Sequence, residues 1–135
     1  MEITQMGRPL AAAAALVVGT ACWAAPAQAP AFAALARVEK GQWQLVETGG
    51  PRRLICLSDP ATLLQLHNRG ASCSRFVIDN TPGAATVHYT CPGAGHGRTT
   101  VTVETPRLVR VQSQGLDAGT PFDQDIEGRR VGECR

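Results

Sequence analysis

The chain has 135 residues, a formal net charge of +2, and only 4% aromatic residues. Its lysines and arginines are scattered, with Arg52-Arg53 and Arg129-Arg130 as the only doublets. That excludes the basic, aromatic-interleaved stripe on which nucleic-acid binding rests, and the ~100 residues behind the leader suffice for one domain.

Residues 1–33 read as a secretory signal and small-residue leader. Arg8 supplies the positive end, and an uncharged, alanine-rich run follows from Leu10 to Trp23. It is shorter than the ~20 apolar residues that span a bilayer comfortably. Cleavage is expected between Ala24 and Ala33, with Ala27-Gln28-Ala29 and Ala31-Phe32-Ala33 among the sites. Cys22, behind Gly19-Thr20-Ala21, offers the alternative of a lipid anchor and a membrane-tethered protein. No other apolar run reaches spanning length, so the mature chain carries no transmembrane span. Residues 34–40 read as a short linker, and 41–135 as a single β domain held by disulfides.

Period-two alternation dominates after residue 40. Trp43 and Leu45 share one face of a first strand, with Gln42 and Gln44 opposite. Gly49-Gly50-Pro51 turns the chain into a second strand over 53–58. Asp59 is placed to cap a short helix with Pro60 in its first turn. Leu63, Leu64 and Leu66 give that helix an apolar side, and Gly70 is placed to end it. A third strand over 75–79 closes at Asn80-Thr81-Pro82-Gly83. In the fourth, Val87, Tyr89 and Cys91 alternate with Thr86, His88 and Thr90. A glycine-rich turn at 92–97 leads to a fifth strand, with Val101 and Val103 opposite Thr100, Thr102 and Glu104. Thr105-Pro106 turns into a sixth, with Val109 and Val111 opposite Arg110, Gln112 and Gln114. After a loop at 115–121, Phe122 and Ile126 mark a seventh. The fold class expected is mainly β: a curved antiparallel meander or partial barrel of about seven strands, with one short helix after strand two. Trp43, Phe76, Tyr89 and Phe122 are its candidate core aromatics.

Cys56, Cys73, Cys91 and Cys134 are an even set, as two disulfides in an exported domain require. Four cysteines allow three pairings, of which Cys56–Cys73 with Cys91–Cys134 is favoured. The first would staple the helix excursion, worth ~3 kcal/mol by loop entropy, and the second would tie down the C-terminal tail. There is no C-x-x-C pair, so neither a zinc site nor a redox dithiol is expected, and no cofactor.

The same landmarks form a larger pattern. Gly41-Gln42-Trp43 opens the domain, Ile55-Cys56 precedes the helix, Tyr89-Thr90-Cys91 ends a strand, and Gly128-Arg129-Arg130-Val131-Gly132-Glu133-Cys134 closes the chain. Over residues 38–135 this resembles the domain-of-unknown-function family 3617 of exported Gram-negative proteins. The resemblance implies a periplasmic, disulfide-bonded β domain. It implies no reaction and no catalytic residues.

Few residues point to chemistry. His67 lies near the helix end, where a cation favours the dipole. His88 falls on the polar side of its strand. His96 sits among glycines, but a strand follows rather than the helix N-terminus a phosphate cradle needs. Asp117, Asp123, Asp125 and Glu127 lack the glycine turn of a calcium loop and read as a solvated strand edge. No catalytic set converges, and the expectation is a non-catalytic periplasmic module binding a small ligand or a protein partner. Trp43, Tyr89, Val101 and Val109 would line a ligand cup, although the same residues also read as plain core. The alternatives are a periplasmic inhibitor or envelope stress-protective protein, and a hydrolase.

Overall fold

Seven antiparallel strands form one open sheet in the computed structural model, which describes residues 19, 21–25, 31–68 and 72–135. They are β1 (Gly41–Glu47), β2 (Arg52–Leu57), β3 (Ser74–Asn80), β4 (Ala84–Cys91), β5 (Gly95–Thr105), β6 (Leu108–Asp117) and β7 (Thr120–Gly132). Their spatial order is β2-β1-β7-β6-β5-β4-β3. From β3 to β7 the chain is a meander of hairpins. β1 breaks it, pairing with its hairpin partner β2 on one side and with β7 on the other. The chain therefore crosses the whole sheet between β2 and β3, which form its two opposite edges.

Two short 3-10 helices lie on the inner face of the sheet: η1 (Leu35–Arg37) and η2 (Pro60–Gln65). η2 is the expected helix of the crossover. The Asp59 carboxylate accepts from the Ala61 N–H at 2.9 Å, as a cap should. Leu63 and Leu64 at its middle are fully buried. Gly70, expected to end it, lies outside the described residues, as do Arg8 and the Ala27–Ala29 cleavage motif of the leader.

Alternation decides which side chains meet. Trp43 and Leu45 of β1, Val87 of β4, Val101 of β5, Val109 and Val111 of β6 and Ile126 of β7 all point inward, none more than 1% exposed. Burying each such aliphatic side chain contributes roughly 1.5–3 kcal/mol. Gly128 sits in β7 between Leu45 and Val109. A Cβ there would come within 2.9 Å of Val109 and 3.1 Å of Leu45, so the glycine lets the two close over the strand.

Residues 34–40, read from the sequence as a linker, belong to this core. Ala34, Leu35 and Val38 are buried in it, and Phe32 packs against it. The Asn80 side chain fixes the approach, accepting from the Ala33 N–H at 3.0 Å and donating to the Ala31 carbonyl at 2.9 Å. The Trp43 indole N–H donates to the Glu39 carbonyl at 2.9 Å.

Three expectations are corrected. The disulfides are Cys56–Cys134 and Cys73–Cys91, not Cys56–Cys73 and Cys91–Cys134. Strand order is the reason. β1 brings β2 and β7 together, with Cys56 opposite Gln42 and Gln42 opposite Gly132, two residues before Cys134. At the far edge, Ser74 pairs with Thr90, so Cys73 and Cys91 face each other. Second, β7 is not an edge strand but lies between β1 and β6, and the expected loop at 115–121 is a tight turn at Ala118-Gly119. Third, Phe76 is no core aromatic: it stands on β3 with 72% of its surface exposed.

Candidate functional site

The four residues expected to line a ligand cup, Trp43, Tyr89, Val101 and Val109, are each 0% exposed. They form the interior and present no surface to a ligand.

The inner face does change character along its length. Past the valines it becomes polar, with Thr99 donating to or accepting from Ser113 at 2.8 Å. Beyond them the Tyr89 ring lies over Gly97, its paired residue on β5; a Cβ on that glycine would fall 2.5 Å from the phenol oxygen. The Tyr89 hydroxyl donates to Asn68 Oδ1 at 3.2 Å. Asn68 in turn donates to Asp117 Oδ1 at 3.1 Å and to the Ala94 carbonyl at 3.0 Å. His67 Nε2 meets Asp117 Oδ2 at 2.9 Å, and its ring stacks on Phe122 with centroids 3.9 Å apart. Burial pushes the Tyr89 phenol above its ordinary pKa. The Ser113 hydrogen bond works against that rise and the Asp117 charge adds to it.

This network pins the crossover. Its members come from the end of η2, from β4 and from the β6–β7 turn, three pieces that only tertiary contact can hold together. Among the described residues His67 is held by Asp117 and Phe122, and no hydroxyl is hydrogen-bonded to a histidine.

The outer face is different in kind. Strand register aligns Phe76 of β3, His88 of β4, Arg98 of β5, Gln114 of β6 and Asp123 of β7 in a single row. Below the row a shallow depression of about 730 Å³ is lined by these residues, by Ile78 and His96, and at its β7 end by Gly115 and the half-buried Phe122. His96 lies one position along β5 from Gly97, inside a strand rather than in the flexible turn expected of it. Its ring meets that of His88 edge-on, centroids 5.8 Å apart. Phe76 and Ile78 are both exposed. His88 points outward, as its alternation with Val87 and Tyr89 predicts.

Charge divides this face. Toward β7, Arg110 lies 3.2 Å from Asp125 and 4.0 Å from Glu104, and Arg129 lies 2.8 Å from Glu127. Of the acids expected as a solvated edge, Asp125 and Glu127 are thus partners of arginines in the middle of the sheet, and Asp117 is the partner of His67. Arg130 pairs with Glu133 and is largely buried. The Arg98 side chain, by contrast, makes no hydrogen bond or ion pair among the described residues. Sequence reasoning did not single out Arg98 or Gln114. Their outward direction was readable from Val101 and Val111, but their place in one row depends on register. Among the described residues no three of His, Cys, Asp and Glu gather as metal ligands would.

Among the described residues no helix is long and apolar enough to cross a membrane, and Cys22 is exposed and outside both disulfides. No family model matches this chain, and no curated protein matches it.

Proposed function

We propose that this chain is an exported, periplasmic, non-catalytic β module that binds a small ligand on the outer face of its sheet. The observation that carries the reading is Arg98. It is an arginine whose side chain has no partner among the described residues, set in a depression beside two histidines and two exposed apolar side chains, on a face where Arg110 and Arg129 are both paired. Phe76 and Ile78 stand exposed in the same depression as this arginine, an apolar surface beside a cation that suits a ligand carrying both kinds of group. Two disulfides support export, because such bonds persist in oxidising compartments. The apolar leader and the family resemblance agree with the periplasm.

The test is a fragment screen read by amide chemical shifts on the folded mature protein. Hits are expected to move His88, His96, Arg98 and their β3 neighbours together. A library that moves no residues, or only residues away from this row, overturns the reading.

A further inference from the structure

We propose that the outer-face depression takes an amphipathic organic anion, its apolar body lying on Phe76 and Ile78 and its charged head held by Arg98. The inference rests on the reading that this face binds a ligand, and it adds the ligand's chemical class and direction.

The order of the row carries it. Reading across the sheet, the side chains run from aromatic, through imidazole, to guanidinium, amide and carboxylate. Neighbouring strands stand ~4.8 Å apart, which puts the backbone under Phe76 and that under Arg98 roughly 10 Å from each other. Asp123 lies the same two strands beyond Arg98, on the other side. An anion is therefore drawn to Arg98 and repelled from the β7 end, so the remainder of the ligand extends toward β3. There it meets Phe76 and Ile78, which are exposed and apolar. His88 lies between the two ends and His96 walls the depression beside it.

Each simpler ligand leaves part of this arrangement unused. An inorganic anion has no use for Phe76 and Ile78, and a neutral hydrophobe leaves the Arg98 guanidinium unpaired. A guanidinium offers a planar fork of donors that suits carboxylate, sulfonate or phosphate oxygens alike. A bicyclic aromatic with an acidic substituent matches the span from Phe76 to Arg98.

Two fluorescent probes separate the elements. Anilinonaphthalene sulfonate and phenylnaphthylamine share an aromatic framework and differ by the anionic group. The sulfonate is expected to bind the folded protein at one site and at least about tenfold more tightly than the neutral probe, the worth of one charge-assisted contact. Arg98→Ala and Phe76→Ala are each expected to weaken the sulfonate about tenfold, while Arg110→Ala leaves it unchanged. Near-ultraviolet dichroism establishes that each variant keeps its packed core, since this sulfonate also stains loosened proteins. If both probes bind equally, and Phe76→Ala weakens both while Arg98→Ala weakens neither, the face binds ligands but the anion is wrong. If the sulfonate fails to bind, the ligand class is likewise wrong, and the shift map alone decides the face. If it binds and no substitution on the row alters it, both the class and the face are wrong.

Discussion

On the inner face of the sheet Trp43, Leu45, Val87 and Val101 are fully buried in one core with the residues of η1 and η2, and even the polar end is closed by a chain of hydrogen bonds through Tyr89, Asn68 and Asp117. On the outer face the same strands leave Phe76, His88 and Arg98 open to solvent. The outer face itself is not uniform: Arg110 and Arg129 answer Asp125 and Glu127, while among the described residues the Arg98 side chain, set in the depression, answers nothing. Where every group on a surface is already satisfied by the chain, the surface only faces water. Where a charge and apolar side chains are left together in a depression, as Arg98, Phe76 and Ile78 are, the proposed binding surface has its basis.

Breaking the inner face should have the largest effect. Trp43→Ala removes the largest fully buried side chain and its hydrogen bond to the Glu39 carbonyl. A loss of roughly 3–5 kcal/mol is expected, measured by denaturant unfolding of the oxidised protein. A loss under about 1 kcal/mol, the scale of a mere surface substitution, would mean that the inner face is not a close-packed core.

Gly97→Ala tests the polar end of that face. The new methyl would meet the Tyr89 ring at 2.5–2.9 Å. The ring must shift and give up its contact with Asn68, at a cost of roughly 1–3 kcal/mol. Gly93→Ala, with open space around it but a φ of +76°, serves as a control for backbone strain alone.

Much of this contrast was readable in advance, and the unread part has a common cause. Alternation is local, so β4 and β6 declared their faces through Val87, Tyr89, Val109 and Val111. Asp59-Pro60 declared the start of η2 through its own capping chemistry. The disulfide pairing was not local. It follows from β1 standing between β2 and β7, and nothing near Cys56 specifies that its partner lies at a sequence separation of 78. β3 failed differently. Phe76, Val77 and Ile78 are three apolar residues in succession, which carry no alternation, and the register shifts between Val77 and Asp79. A bulge of that kind re-aims the side chains beyond it, while Phe76 takes its side from its pairing with the outward His88, a register that no local pattern in β3 declares. The outer-face row needed four registers at once. Outward positions could be assigned one strand at a time, but not which of them stand side by side.

Tyr89 allows a pH test of the inner face. Its phenol is held above the ordinary value of 10.0 by burial. Below that value the phenol keeps its proton in both folded and unfolded chains, and the contribution to stability is constant. As pH rises past 10.0 the unfolded chain releases the proton while the folded one retains it, so stability falls with rising pH. The protein has one tyrosine, and tyrosinate absorbance therefore reports Tyr89 alone. The midpoint should lie above 10.0 in the folded protein and return toward it in denaturant. Equal midpoints would show that the polar end is open to water.

The smallest stability effect belongs to the outer face, where the two kinds of arginine can be compared directly. Arg110→Ala removes a guanidinium shared between Asp125 and Glu104 and leaves those carboxylates unanswered at the centre of the sheet. All three side chains are substantially exposed, so the loss is expected to stay within about 1 kcal/mol. Arg98→Ala breaks no ion pair, and its effect on stability should be close to zero, within about 0.5 kcal/mol. The comparison is sharpened by raising salt, which should narrow the gap by weakening only the Arg110 pairs. If Arg98→Ala instead destabilises the protein by more than Arg110→Ala, then Arg98 is part of what holds the sheet together. The unpaired end of the outer face would then be structural, and its claim to be a binding surface would fall with it.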